Sequence, residues 1–338
     1  MLSLRRGIVV TAGDPAGALQ RLEVELDGER RPAVGDIALV GAAEAGDEVV
    51  VNVAARDLGL GSGGFDLVHV NLTRGLTGAG VPGAHVMKLN YTSLQHAVLP
   101  VEGDALTLPV AAPVGVCFLH GQLAPAAWAF RRAAPHARLG YIQTAGGALP
   151  GGLSETVGEL KARGLLDGHL TAGHAYGGDG EAISTPGAIH HAAHDLGWDA
   201  ALCGPGPGIL GSGSRLGHGG MAALDTVHAA LALGAPTMVV PRMSSGDDRA
   251  RHRGLSHHAA TVLQLLLEPV VVAVPEGWDE HGTGDERHDW RHVAADLDGY
   301  RESGLPSTTM GRALEEDALF FAAALAGGQV LAGMIPDR

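Results

Sequence analysis

Short runs of alternating apolar and polar residues fill the first third of the chain, from Gly7 to about Pro109. Gly-Asp and Asp-Gly pairs separate several of these runs, and such pairs favour tight turns between strands. None of the runs has the 3.6-residue period of a helix, so the pattern predicts a small β barrel or sandwich. The runs that we expect to form strands include Arg21–Leu26, Asp36–Val40, Glu48–Val53, Phe65–Leu72 and His85–Tyr91.

From Val114 onward, near-continuous apolar runs alternate with helical patterns. The predicted strands are Val114–Leu119, Arg138–Gln143, His169–Ala172, Ala200–Cys203, Thr237–Pro241 and Val270–Val274. The predicted helices are Pro125–Ala134, Ser154–Arg163, Ile183–Leu196, Gly220–Leu233, Ser256–Leu267 and Ala313–Leu325. This alternation is typical of a doubly wound, mostly parallel, Rossmann-like α/β sheet with helices on both faces.

We therefore predict three regions. Residues 1–111 form a β-rich domain, 112–276 form the α/β domain, and 277–338 contain an acidic loop and a C-terminal helix. The loop, Trp278–Trp290, has no periodic pattern and is expected to be mobile. The helix is expected to dock on the main domain or on a second subunit.

Charge and composition narrow the choice of partner. The 338 residues contain 23 Lys and Arg against 37 Asp and Glu, which gives a formal net charge of −14. This balance argues against binding to nucleic acid or to an anionic membrane. No apolar run approaches the roughly 18 residues of a membrane span, and the N-terminus lacks a secretory segment. We expect a cytoplasmic protein with a small-molecule ligand that forms a homodimer or a higher homo-oligomer.

Polar residues and glycines follow five consecutive strands of the predicted sheet. Ligands of open α/β sheets bind at the carboxyl ends of the strands, where loops converge and helix N-termini present unpaired N–H groups. His120 and His174 follow two of these strands, and a neutral imidazole there could serve as a base. We predict His174 as general acid or base, Asp179 as the residue that orients it, and His120 as a further catalytic residue.

The glycine segment, residues 204–220, is the most specific feature of the sequence. Its glycines permit positive φ and close backbone approach, so consecutive N–H groups can converge on a phosphate or carboxylate beside Arg215. The ligand-binding residues predicted at these strand ends are Gln122, Thr144, Gly206, Gly208, Gly211, Ser212, Gly213, Arg215, Ser245 and Asp247. The alternative to anion binding is that the segment is a covering loop whose glycines only allow tight packing.

A dinucleotide site is less favoured. Gly206-x-Gly208-x-x-Gly211 satisfies the nicotinamide-cofactor fingerprint formally, but the glycine and serine run continues beyond it. No acidic residue ends the following strand, where the fingerprint expects one. The sequence identifies no cofactor.

Metal-dependent and hydrolase chemistry are two alternatives that the sequence offers. His190 and His194 have the i, i+4 spacing of metal ligands but lack the acidic partner of an HExxH motif. Asp179 and Asp247 could bind a hydroxyl-rich ligand or a divalent cation if they meet at the crevice. Histidines of the acidic loop, which could chelate a metal adventitiously, are His281, His288 and His292. Ser256 is expected to cap a helix, and because no GxSxG motif occurs, serine hydrolase chemistry is not favoured.

Several longer motifs resemble domain-of-unknown-function family 3866, a bacterial family. They include Ala55–Gly64, Met87–Gln95, Gly121–Pro125, Thr171–Asp179, the glycine segment and Arg251–His258, and the resemblance covers residues 7–330. It supplies no reaction. It implies that the residues matching recurrent family motifs are candidate site residues, namely Lys88, Tyr91, Gln122, His174, Asp179, Arg215, Ser256 and His257. The family often has Thr-Asp-Gly-Gly where this chain has Thr144–Gly147, which argues against an essential acid at position 145.

The sequence thus predicts a protein that binds a small phosphate- or carboxylate-bearing metabolite, with His174 and Asp179 as the residues that would make it an enzyme. Two alternatives stay open. One is a non-catalytic binding or oligomeric assembly module, and the other is a metal-dependent enzyme, for which no ligand set is predicted.

Overall fold

The computed structural model describes residues 2–15, 17–59, 64–78, 80–278 and 286–336. It divides into two compact units, Met1–Leu99 and Pro100–Arg338. The elements of the first unit are β1 (Leu4–Ala12), β2 (Leu19–Leu26), β3 (Glu29–Asp36), α1 (Ile37–Val40), β4 (Glu48–Asn52), α2 (Ala54–Asp57), β5 (Asp66–Asn71), β6 (Val86–Lys88) and β7 (His96–Val98).

The first unit is a closed five-stranded barrel with the order β1-β2-β3-β5-β4, and β6 and β7 form a separate two-stranded sheet. The β3–β5 pairing is parallel, whereas the other pairings are antiparallel. Along β2, alternate residues Leu22, Val24 and Leu26 are buried in the barrel core, as the period of two requires. The predicted β barrel is confirmed.

The predicted strand Asp36–Val40 is wrong. Ile37–Val40 is the short helix α1, because the Asp36 carboxylate accepts a hydrogen bond from the backbone N–H of Ala38 and so caps a helical turn. Gly41, at φ 76°, ends that turn. The apolar run Ile37–Val40 was too short for its period to distinguish a strand from a helix.

The second unit contains twelve strands and seven helices among the described residues. The strands are β8 (Val114–Cys117), β9 (Leu139–Thr144), β10 (Gly168–Ala172), β11 (Gly180–Ala182), β12 (Ala200–Pro205), β13 (Thr237–Val240), β14 (Met243–Ser244), β15 (Gly254–Leu255), β16 (Val271–Pro275), β17 (Asp289–Val293), β18 (Thr308–Thr309) and β19 (Arg312–Ala313). The helices are α3 (Leu123–Ala133), α4 (Glu155–Ala162), α5 (Thr185–His194), α6 (Ala222–Ala232), α7 (His257–Leu265), α8 (Leu297–Glu302) and α9 (Ala318–Gly333).

Eight parallel strands form the central sheet, in the order β11-β10-β9-β12-β8-β13-β16-β17. Helix α3 contacts α4 and α9, and α9 contacts α8, whereas α6 contacts α5 and α7 in a second group. Right-handed crossovers place the helices that follow β8 and β9 on one face and those that follow β12 and β13 on the other. The predicted doubly wound parallel sheet is confirmed. Its edge strand β17 lies within a region where we predicted no strand.

Helix α9 is part of the core of the second unit. It begins at Ala318, packs on α3 and β16, and is buried along most of its length. Gly328 permits the contact with α3, because a Cβ at this position would lie 2.0 Å from the carbonyl oxygen of Ala126. The predicted start at Ala313 is too early, since Arg312 and Ala313 belong to β19.

Cys117 and Cys203 are buried in β8 and β12. Burial raises the pKa of the Cys117 thiol to about 12, so the thiol is protonated and unreactive at neutral pH. Among the described helices, none is both long and apolar enough to cross a membrane.

Candidate functional site

Three neighbouring strands deliver polar groups to one crevice of the sheet. Strand β12 lies between β9 and β8. The helix after β12 packs in one layer, and the helices after β8 and β9 pack in the other. This arrangement is a topological switch point, where open α/β sheets form their ligand crevice.

A serine and a histidine form a hydrogen-bonded pair at this crevice. His120 follows β8, and its Nε2 lies 2.6 Å from Oγ of Ser154, the residue that precedes α4. The other ring nitrogen, Nδ1, lies 3.2 Å from the carbonyl oxygen of Pro205 at the end of β12. We call this arrangement the Ser154–His120 pair.

The hydrogen-bond partners of His120 and Ser154 determine where the protons of the pair lie. A carbonyl oxygen accepts only, so His120 Nδ1 carries the proton and Nε2 is an acceptor. Ser154 Oγ accepts the N–H of Val157 at 3.0 Å as the N-cap of α4, so its own hydrogen points to His120. Burial lowers the pKa of His120 to about 4, and its imidazole is neutral at pH 7.

Two aromatic side chains form the wall behind the pair. The hydroxyl of Tyr141 lies 2.9 Å from the carbonyl oxygens of Gly204 and Pro205, and its ring stacks on that of His169 at 5.4 Å between centroids. His169 is 4% exposed, and its Nε2 is buried without a hydrogen-bond partner. Burial lowers the pKa of His169 to about 4, so it too is neutral.

The structure does not bring His174 and Asp179 together as a catalytic pair. Asp179 contacts Lys161 Nζ at 2.5 Å and accepts the backbone N–H of His169 at 2.9 Å. His174 is exposed and makes no hydrogen bond to any residue that the structure describes. The loop that carries His174 does reach the crevice, because Tyr176 pairs with Pro150 in the loop before Ser154.

The glycine segment starts at the crevice and packs closely against the loop after β9. A Cβ on Gly206 would lie 2.3 Å from the carbonyl oxygen of Ala148, and one on Gly146 would lie 2.3 Å from that of Gly219. Gly208 has a φ of 69°, which favours glycine, and Gly211 forms a bridge with His218. These glycines therefore serve close packing.

Some N–H groups of the glycine segment already have acceptors within the segment. The N–H of Ser212 donates to Gly217, and those of Ser214 and Gly217 donate to the hydroxyls of Ser212 and Ser214. A compact turn of residues 212–217 results. Gly213 lies in it, and a Cβ there would be 3.8 Å from the Arg251 guanidinium.

A second group of polar residues lies beyond the end of β13, around the N-terminus of α7. We call it the histidine–arginine cluster. It contains His218, His252, His257 and His258, together with Arg215, Arg242 and Arg251. Arg242 and His252 are each 2% exposed, and the ring of His218 stacks on that of His258 at 4.0 Å.

All four histidines of the cluster are neutral at pH 7. Burial, followed by Arg242, lowers the pKa of His252 to about 3, and burial together with the neighbouring His258 lowers that of His218 to about 4. For His257 and His258 the pKa is also lowered, with burial as the largest cause. Arg251 and Arg242 lower both of these values further.

Two ring nitrogens of the cluster have no partner. His258 Nε2 donates to the carbonyl oxygen of Ser214 at 3.1 Å, which leaves Nδ1 as a buried acceptor without a donor. His257 Nε2 is buried and unpaired as well. A buried polar atom without a partner is costly, so these two nitrogens indicate a place where a ligand can bind.

Two arginines of the cluster have no acidic partner. Arg215 donates to Thr261 Oγ1 at 3.2 Å and to Gln264 Oε1 at 2.8 Å, and both acceptors are neutral. Within the described part of the chain, neither Arg215 nor Arg251 forms an ion pair with a carboxylate. Arg242 and Arg249, in contrast, both contact Asp247, whose pKa they hold well below its usual range.

The cluster also contains a possible metal-ligand set. One ring nitrogen from each of His252, His257 and His258 lies within 4.8 Å of the others. However, Arg242 donates to His252 Nδ1 at 3.0 Å, so in the neutral ring the proton is on Nε2. A metal needs an unprotonated nitrogen, and three guanidinium groups nearby would repel a cation. The donor set therefore fits an anion better than a metal ion.

Several other predicted site residues have structural partners. Gln122 uses its amide fully, since Oε1 accepts the N–H groups of Phe118 and Leu119 while Nε2 donates to the carbonyl oxygens of Val240 and Pro241. Ser245 and its neighbour Ser244 bind the buried Asp317. Both nitrogens of His288 are used, on Val270 and Leu263.

The remaining candidates are spread over the molecule. Thr144 is buried at the end of β9. Ser256 lies at the N-cap position of α7, but its hydroxyl is 2.9 Å from His252 Nδ1 and does not cap the helix. Lys88 is buried and Tyr91 fully exposed, and both belong to the first unit. His190 accepts from the N–H of Thr107 and lies beside His194. His281 falls outside the described residues.

Sequence reasoning missed four residues that matter here. The sequence places Ser154 at the start of a predicted helix and His169 in a predicted strand, and it singles out neither His252 nor Arg242. Their partners lie 34 residues away for Ser154 and 10 for His252. Position at a strand end was the one available signal, and it did select His120.

Comparison with known proteins identifies a family without a reaction. No curated protein matches the chain, and no solved structure matches it. The family model described as "Protein of unknown function (DUF3866)" matches residues 33–328, which is most of the chain. The chain belongs to the DUF3866 family.

Proposed function

We propose that the protein binds a small metabolite bearing a phosphate or a carboxylate at the histidine–arginine cluster. The observation that carries the proposal is the pair Arg215 and Arg251, which have no carboxylate partner among the described residues. Both guanidinium groups act on the same histidine, since each lowers the pKa of His257. An anion would neutralise them.

The geometry of the cluster supports an anionic ligand in two further ways. Thr261 and Gln264 hold the guanidinium of Arg215 in place without neutralising it, so the donor fork is preorganised. The unpaired Nδ1 of His258 is an acceptor, which suits a hydroxyl on the same ligand. A phosphate monoester or a hydroxy acid carries both groups.

The serine-rich turn of residues 212–217 covers one side of this site. Its backbone is fixed by its own hydroxyls, and the carbonyl of Ser214 orients His258. In this proposal the turn supplies shape and orientation, and the arginines supply the charge. The glycines around it allow the close packing that holds the turn in position.

A catalytic role for His174 and Asp179 is not part of the proposal. The carboxylate of Asp179 is already bound by Lys161 and by the N–H of His169. A general base needs a partner that orients it, and His174 has none among the residues that the structure describes.

Thermal denaturation with a panel of ligands tests the proposal. The probes are inorganic phosphate, glycerol 3-phosphate, fructose 6-phosphate, malate and citrate. A ligand at 100 times its dissociation constant stabilises a protein by about 2.7 kcal/mol, so binding should raise the Tm by several degrees. Arg215→Ala and Arg251→Ala should each abolish the shift, whereas Arg291→Ala, at an exposed arginine of edge strand β17, should retain it.

Two outcomes would contradict the proposal. One is that no probe changes the Tm of the wild-type protein, and the other is that Arg215→Ala responds as the wild type does. Zn²⁺ belongs in the same panel, because stabilisation by Zn²⁺ that is lost on His257→Ala would favour the metal-dependent alternative. Light scattering of the purified protein would measure the predicted homo-oligomer.

A further inference from the structure

The Ser154–His120 pair has the arrangement of an activated nucleophile. Such a site needs a hydroxyl within hydrogen-bond distance of a base, and a third group that orients the base. Here Ser154 Oγ is 2.6 Å from His120 Nε2, and the carbonyl oxygen of Pro205 is 3.2 Å from His120 Nδ1. The three groups come from different segments, residues 120, 154 and 205, so local chain geometry does not impose the contact.

The protonation state of the pair suits proton transfer. Nε2 of His120 is an acceptor, and the hydroxyl hydrogen of Ser154 points to it, because Ser154 Oγ accepts the N–H of Val157. The carbonyl of Pro205 would stabilise the imidazolium that forms when His120 takes that proton. The carboxylate of a catalytic triad is thus replaced by a backbone carbonyl.

A further buried histidine, His169, lies near the pair. His169 is 96% buried, and its Nε2 has no hydrogen-bond partner. Its ring edge faces the loop before Ser154, since a Cβ on Gly151 would lie 2.7 Å from His169 Cε1. An unpaired donor or acceptor beside a nucleophile is a candidate for contact with a bound substrate.

We propose that Ser154 is a catalytic nucleophile, with His120 as its general base, and that the substrate is a small carboxylic ester. A small acyl group is required because Ser154 is only 6% exposed and its partner His120 is half-buried. This site is distinct from the histidine–arginine cluster and does not rest on the anion-binding proposal.

The reaction proceeds in two balanced steps. Ser154 Oγ attacks the carbonyl carbon of the ester and forms a C–O bond, while its proton passes to His120 Nε2. The bond to the leaving alcohol then breaks, and the alcohol takes the proton from His120. In the second step water attacks the acyl-serine and gives a proton to His120. The ester bond to Oγ breaks, Oγ regains the proton, and the carboxylic acid leaves.

A fluorophosphonate probe tests the nucleophile directly. Activated serine displaces fluoride from this reagent, so an O–P bond forms, the P–F bond breaks, and a proton is released with the fluoride. We expect mass spectrometry of the full-length protein to find the label on Ser154. His120→Gln should lower the labelling rate by about 10²-fold or more, the usual contribution of a general base.

Ser184 is the matched control. It is the N-cap of α5 and accepts the N–H of Gly187 as Ser154 accepts that of Val157, and its hydroxyl has no hydrogen bond to a histidine among the residues that the structure describes. It should not be labelled, and Ser184→Ala should leave the labelling of Ser154 unchanged. Ser154→Asn, which keeps a good N-cap residue at α4 and so preserves the fold, should abolish the label.

Hydrolysis of p-nitrophenyl acetate by the wild type and the same variants is a second test of the nucleophile. The wild type should release one p-nitrophenol per chain in an initial burst, as Ser154 takes up one acetyl group. Ser154→Asn should show no burst. The proposal is overturned if wild-type Ser154 remains unlabelled, if Ser184 is labelled equally, or if His120→Gln reacts at the wild-type rate. None of these results depends on whether Arg215 binds an anion.

Discussion

The two polar regions at the carboxyl edge of the sheet use histidine in opposite ways. In the Ser154–His120 pair, both ring nitrogens of His120 have a partner. In the histidine–arginine cluster, His257 and His258 each have an unpaired ring nitrogen, and guanidinium groups surround them. Burial lowers the histidine pKa in both regions, so a low pKa by itself does not distinguish their functions.

The two regions differ in the groups that produce the local electric field. In the pair, backbone groups set the polarity, namely the carbonyl of Pro205 and the N–H of Val157. They orient the hydroxyl proton of Ser154 toward Nε2 of His120. The cluster is polarised by side-chain charge, which attracts an anion from any direction. The first arrangement suits proton transfer, and the second suits binding.

The largest effect should come from the residue that ties the two regions together. Gln122 joins the end of β8, beside His120, to the end of β13, beside Arg242. Gln122→Leu would leave two buried N–H groups and two carbonyls without these partners. We expect a loss of about 4 kcal/mol in the free energy of unfolding, and impaired labelling and anion binding together.

Urea denaturation measures this loss, and Gln329→Leu is its control. Gln329 makes one hydrogen bond, to the carbonyl of Ala294, and its loss should cost less than about 1 kcal/mol. If Gln122→Leu cost no more than Gln329→Leu, the two regions would not be coupled through this amide.

The second prediction concerns the pH dependence of stability. The pKa of His169 is about 4 in the folded protein and about 6.5 in an unfolded chain, so between these values the unfolded state binds more protons. Stability is therefore full above pH 6.5 and falls as the pH decreases toward 4. A shift of this size corresponds to about 3 kcal/mol for His169 at roughly 1.4 kcal/mol per pKa unit.

His169→Phe should make this pH profile less steep, because phenylalanine keeps the stack on Tyr141 and cannot bind a proton, while the other buried histidines still titrate. The same substitution at His136, which is exposed, controls for the loss of an imidazole as such. Urea denaturation at pH 7, 6, 5 and 4.5 measures the profile. An unchanged slope in His169→Phe would show that this histidine is not the buried neutral group described above.

The third prediction compares the two serines at helix starts. Ser154 caps α4 with its hydroxyl, whereas the hydroxyl of Ser256 contacts His252 and leaves α7 without a side-chain cap. Ser154→Ala should cost about 1 kcal/mol, and asparagine at the same position should restore most of it. Asparagine at position 256 should not restore stability, because no helix N–H there uses the serine hydroxyl. Thermal denaturation of Ser154→Ala, Ser154→Asn, Ser256→Ala and Ser256→Asn decides between these responses.

The sequence predicted more of the fold than of the site, for a physical reason. Apolar periodicity is local, and it located both the barrel and the parallel sheet. It failed at Asp36–Val40, where one capping carboxylate outweighs an ambiguous short run. Contacts across the sheet are not local. Gln122 was assigned to ligand binding because it follows a strand, yet its amide has four backbone partners, two of them more than 100 residues away.

The histidines show the same limit more sharply. The rule that ligands bind at strand ends selected His120 and His174 equally. Only the folded chain places Ser154 on one of them and leaves the other exposed. The orientation of a ring and the position of its proton depend on such partners, and no spacing in the sequence encodes them.

The smallest effect on stability is expected for Arg251→Ala, and its effect on histidine pKa values should be confined to one region. Arg251 is exposed and forms no ion pair within the described part of the chain, so Arg251→Ala should change the free energy of unfolding by less than about 0.5 kcal/mol. Its positive charge lowers the pKa of both His257 and His258, so the substitution should raise both values. The pKa of His120 is lowered by burial and raised by the carbonyl of Pro205, and it should stay where it is. NMR titration of the imidazole Cε1–H signals follows all three groups in one sample. Equal shifts at His120 and His258 would mean that one field acts on both regions, and a shift confined to the cluster would establish that the two histidine environments are electrostatically separate.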